Sequence, residues 1–182
     1  MEIGVAEKKR KDNKQERSNT YKGKKFRGYY QGYENPEFIL DIGHSPSQSN
    51  TRTGDGVTEY YFNKDIVEKM VPELEARGIK WGILERADGT QAIDTKFVNE
   101  NFKGSKIIEL HNNAGVKSAN GIEAMKGSQG KDNDFGRIMA NEISAATGLK
   151  LRGDKGLREL QRNKAGKLMG AGFMNKKKKK KI

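Results

Sequence analysis

An α/β fold, a single mixed and mostly parallel sheet flanked by helices, is what this sequence predicts, and three observations carry the prediction. From residue 37 onward, short apolar runs alternate with helical patterns, the signature of a sheet whose strands are joined by helices. Glycines fall where those helices should stop. Charge is segregated: residues 1–36 hold ten basic against five acidic residues, 37–149 thirteen against seventeen, and 150–182 thirteen against two. The formal net charge of +12 therefore belongs to the ends, and the middle is the part built to fold.

The hydrophobic fraction of 33% and mean hydropathy of -0.93 are low, so part of the chain is expected to lie outside any core. Residues 1–36, ending in "KFRGYYQGYENP", show no period that buries a face and read as a basic, flexible arm. Arg27, Tyr29, Tyr30 and Tyr33 lie there, where rings beside cations suit stacking on bases or sugars; a solvated tail is the simpler expectation. The α/β domain then spans 37–163, and a glycine- and lysine-rich tail 164–182.

Within the domain, "EFILDI" is the first strand. "EYYFNKDIVEKMVPELEARG" is an amphipathic helix with Ile66, Met70 and Leu74 four apart and Gly78 as its stop. "IKWGIL" is the second strand, "DTKFVNENFKG" a short helix, "SKIIELH" the third strand and "NGIEAM" the fourth. "DNDFGRIMANEISAATG" is a last helix, capped by Asp132 or Asp134 and closed by Gly148.

The sequence has no cysteine, which excludes disulfides and thiolate chemistry, so any metal must take nitrogen and oxygen ligands. No run approaches the roughly 18 apolar residues of a membrane span, and the first residues lack a secretory apolar region. Synthesis and retention in a cytoplasm are the expectation.

Of the two histidines, His44 follows the first predicted strand and His111 ends the third, and Glu59 opens the first helix. Sites in open α/β sheets form beyond the carboxyl ends of strands, so the three can converge. Two imidazoles and one carboxylate are a ligand set for catalytic zinc. The plainer reading, a strand-capping His44 and a satisfied surface His111, has equal claim from spacing alone.

"FILDIGHSP", "GVTEYYFN", "IIELHNNAG" and "NGIEAM", in this order and at these separations, resemble the zinc-dependent N-acetylmuramoyl-L-alanine amidases of the amidase-3 type, found among phage endolysins and bacterial wall hydrolases. The resemblance covers about residues 37–163. It implies Zn2+ as cofactor, held by His44, Glu59 and His111, and peptidoglycan as substrate, cleaved at the amide between N-acetylmuramic acid and L-alanine. It also implies substrate contacts at Asn113 and Arg152. Glu109, two residues before His111 on the same face of the predicted strand, reads equally as a partner behind that ring or as part of an ordinary solvated face.

Such enzymes end in a strand whose glutamate serves as general base; here that position falls on Gly170, with Glu159 and Glu109 as weak surrogates. A missing base implies slower hydrolysis. Two readings follow: a phage lysin acting at the bacterial cell wall, or a catalytically degenerate amidase fold serving as a structural or binding component of a phage virion. In the second, the basic ends would meet virion proteins or nucleic acid.

Overall fold

The computed structural model describes residues 14–47, 55–87, 91–112, 120–126 and 133–159. The chain divides into two compact units, 1–112 and 113–182. The first holds a five-stranded sheet built from β1 (Lys14–Tyr21), β2 (Lys24–Tyr33), β3 (Phe38–Ile42), β4 (Trp81–Arg86) and β5 (Lys106–Leu110), in the order β1-β2-β4-β3-β5. β3 runs parallel to both β4 and β5, whereas β2 is antiparallel to β1 and β4. The α/β class and the mixed sheet are as the sequence predicts.

Residues 14–33 are not a flexible arm. They form a hairpin, and β2 pairs with β4 along Gly28–Gly32. The buried residues of β2 alternate as Gly28, Tyr30 and Gly32. At Gly32 (φ +133) an added Cβ would sit 2.5 Å from the Trp81 carbonyl, so the close approach of these strands requires glycine. Tyr30 is fully buried and Arg17 lies over the Tyr29 ring at 3.6 Å, so neither ring is an open stacking platform.

Two helices cover the sheet. Helix α1 (Glu59–Ala76) packs Tyr60, Val67, Met70 and Leu74 against Leu40, Ile42, Trp81 and Ile83, centring its buried stripe on Val67. The helix ends as predicted: Gly78 takes φ 67, its N–H bonds the Glu75 carbonyl and the Ile79 N–H that of Leu74, the Schellman pattern. Strand residues alternate between faces, so Leu84 and its opposite number Tyr30 look the other way. There Tyr21, Phe26 and Tyr30 meet Phe97 of α2 (Gln91–Asn101) and the following Phe102 in a cluster of edge-on and stacked rings.

In the second unit, "NGIEAM" yields β6 (Ala124–Lys126), which pairs in parallel with β7 (Leu157–Glu159) in a two-stranded sheet of its own rather than extending the large one. Helix α3 (Asn133–Thr147) packs on both strands, with Asp134 in its first turn and Gly148 at φ +69 beyond its end. Asp132, residues 1–13 and the tail from 160 lie outside the described residues. No helix among the described residues is long and apolar enough to cross a membrane.

Candidate metal centre at the carboxyl edge of the sheet

β3 and β5 lie side by side in register, Asp41 beside Glu109 and Ile42 beside Leu110, so both strands deliver the chain to the same edge. Gly43 then donates its N–H to the Leu110 carbonyl at 3.0 Å. A Cβ at Gly43 would stand 2.0 Å from that oxygen and 2.9 Å from His111 Nδ1; glycine alone lets the two strand ends meet. The next residue, His44, takes φ 66, a left-handed conformation that costs a non-glycine residue energy and clusters at functional sites.

Glu59 is the first residue of α1, following Thr58 in extended conformation. One turn on, the fully buried Asn63 donates its side-chain N–H to the Leu110 carbonyl at 3.0 Å. Residues four apart share a helix face, so the contact that docks α1 on the end of β5 also aims Glu59 at His111.

The three side chains converge. Glu59, 1% exposed, places Oε2 3.2 Å from His44 Nε2 and Oε1 3.1 Å from His111 Nδ1, and its Oε1 also accepts the Asn112 N–H at 2.6 Å. The two imidazoles are 4.9 Å apart at 79°, and one ligand atom from each residue lies within 4.8 Å of the others. Both rings are about one-third exposed, so the group opens toward solvent.

Ligands around a tetrahedral ion at about 2.0–2.1 Å stand about 3.3 Å from one another, close to the separations of Glu59 from both rings. A buried carboxylate between two partly exposed imidazoles, with an open side, is the donor set of a catalytic divalent metal site. The residues present fit such an ion.

Behind His111, its Nε2 lies 3.0 Å from Glu109 Oε1, and Glu109 also bonds the buried Arg86, which stands 3.5 Å from Asp41. Burial disfavours the imidazolium of His111, but the Glu109 and Glu59 carboxylates outweigh it and raise the pKa. Burial likewise disfavours the Glu109 carboxylate, and His111 and Arg86 overcome it, holding that carboxyl below its usual range. Asp41 and Arg86 are members of the site that sequence reasoning missed; the signal was Asp41 inside the apolar run "FILDI" and the charged pair Glu85–Arg86 closing "WGILER".

A family model described as N-acetylmuramoyl-L-alanine amidase matches residues 38–182, most of the chain. The chain belongs to this amidase family. Among solved structures it is similar to one titled "The crystal structure of the putative N-acetylmuramoyl-L-alanine amidase from Neisseria meningitidis", at 21% identity and TM-score 0.49, over 68% of this chain and 67% of that one. Among curated proteins none matches significantly.

The structure brings together His44, Glu59 and His111, with Glu109 against His111. Arg152 belongs to the second unit, where it stands 3.7 Å from Glu123, and Glu159 closes β7 there. Asn113 and Gly170 lie outside the described residues.

Proposed function

We propose that this protein is a zinc-dependent peptidoglycan amidase of the lysin type, hydrolysing the amide between N-acetylmuramic acid and L-alanine. The observation that carries the reading is the convergence of His44, Glu59 and His111 in a chain of the amidase family. Bound zinc would supply Lewis acidity, polarising the scissile carbonyl and making water nucleophilic near neutral pH. Glu59 provides the anionic ligand from the protein side, fixed by the Asn112 N–H. His44 and His111 provide neutral ligands on the solvent side, where an amide of the wall can approach.

The family's terminal glutamate position falls on Gly170. A positioned base contributes about 10²–10⁴ in rate, so slow turnover is expected. The basic ends, with excesses of five and eleven positive charges, suit anionic wall polymers, an attraction that salt weakens. Synthesis in a cytoplasm and action at the wall belong to this proposal. Nothing among the described residues favours the alternative of a virion component.

The test is release of L-alanine amino termini from purified peptidoglycan by the zinc-loaded protein. Activity lost on chelation and restored by zinc is the expected result; a zinc-loaded, folded protein that releases none would overturn the reading.

A further inference from the structure

Glu109 lies near the end of β5 and His111 is the first residue beyond it, and their side chains meet at that end. The His111 ring is gripped from opposite edges: Nδ1 faces Glu59 Oε1 at 3.1 Å, and Nε2 faces Glu109 Oε1 at 3.0 Å. A neutral imidazole carries one N–H, and an ionised carboxylate can only accept a hydrogen bond. If the Nε2 proton goes to Glu109, the Nδ1 lone pair is turned toward Glu59, where the metal would sit.

The wider cluster has a charge logic of its own. Asp41 and Glu109 are register neighbours on β3 and β5, Leu84 is the β4 neighbour of Asp41, and Arg86 is two residues further on, so all three charged groups share one sheet face. Arg86 pairs with both carboxylates, which leaves the trio with an excess of one negative charge. That excess is directed through Glu109 at a metal-ligand imidazole, where it favours a cation on the far side of the ring.

We infer that Glu109, backed by Arg86 and Asp41, is the positioning residue of the metal site: it fixes the tautomer and plane of His111 and strengthens it as a ligand. The inference rests on the metal reading above. It also removes Glu109 as a substitute general base, because its oxygen is held against the ring nitrogen turned away from Glu59. Outer carboxylates of this kind typically contribute 10–100-fold to metal affinity or activity.

The test uses the full chain and two substitutions of similar size. Glu109→Gln keeps an oxygen that can accept the Nε2 proton; Glu109→Met does not. Zinc affinity is measured by competition with a chromophoric chelator, and ligand geometry by the visible spectrum of the cobalt-substituted protein. Glu109→Met should bind zinc about 10–100-fold more weakly and alter the cobalt spectrum, and Glu109→Gln should restore both to near the parent values.

Equal zinc affinity and an unchanged cobalt spectrum in Glu109→Met would overturn the inference while leaving the metal site standing. Normal metal binding in Glu109→Gln combined with lost hydrolysis would overturn it too, by making Glu109 a base. A parent protein that binds no zinc would overturn the metal reading itself. Melting of the metal-free proteins checks the fold; if Glu109→Met does not fold, Glu109→Ser, too short to reach the ring, is held to the same outcomes.

Discussion

Glu85 and Glu109 are matched carboxylates near the ends of β4 and β5, the strands on either side of β3, and they serve different ends. Both are largely buried, with side chains 6% and 17% exposed, and both carboxyls are held below their usual range although burial alone would raise them. What differs is the company. Glu85 accepts from Tyr60 at 2.6 Å, Lys64 at 3.2 Å and Arg17 at 3.0 Å, tying α1 and β1 to β4. Glu109 faces Arg86 on one side and an imidazole on the other. A buried carboxylate surrounded by fixed donors is a fastening; one that looks at a proposed metal-ligand histidine is placed to condition chemistry. The comparison teaches that burial and a shifted pKa do not by themselves mark a functional residue, and that the partner does.

Glu59 stands between these two nodes, next to Tyr60 in the chain and against His111 in space. Glu59→Gln should produce the largest effect: loss of stoichiometric metal, read by metal analysis of the purified protein, and hydrolysis reduced to background. A variant that kept its metal would dissolve the contrast, since neither node would then serve a metal site.

Next in size is Gly43→Ala. The added methyl meets the Leu110 carbonyl at 2.0 Å, and overpacking of this kind costs about 1–3 kcal/mol. Thermal melting should fall by several degrees, and metal affinity should fall with it because His44 is displaced.

Glu85→Gln sharpens the contrast from the other side. Removing a charged hydrogen-bonding partner here should cost about 1–3 kcal/mol at neutral pH, with less effect on zinc affinity than Glu109→Met has. The folded-state pKa of Glu85 lies below the unfolded value of about 4.3. Its contribution is therefore fully present above that value and lost as pH falls through the folded one. Denaturant unfolding at pH 7 and below pH 4 should show the gap between parent and variant closing in acid.

The smallest effect belongs to Lys69→Ala, which breaks an exposed ion pair with Asp65 at 2.6 Å. Stability should change by less than about 0.5 kcal/mol, setting the scale against which the buried nodes are judged.

Much of this was legible in the sequence because local signals agreed with the fold. β3, β4 and β5 are apolar runs, α1 is stopped by Gly78, and the converging His44, Glu59 and His111 fall at element ends where α/β sites form. The hairpin of residues 14–33 was not legible because two of the three inward positions of β2 are glycines, so its period of two exists in burial but not in hydrophobicity. The Asp41–Arg86–Glu109 cluster was hidden for another reason: it joins three strands whose neighbourhood is set only by the sheet order.

The hairpin also separates two quantities that are easily equated, the length of a family match and the length of a foldable piece. The match begins at residue 38, but β4 is paired through β2, and Tyr30 is buried against the rings beneath it. A chain started at residue 37 would keep every proposed zinc ligand and still expose the unpaired backbone of β4 along a newly made sheet edge, a template for association with other chains. Any truncated enzyme should therefore retain residues 14–33, and one that lacks them is expected to aggregate before its chemistry can be measured.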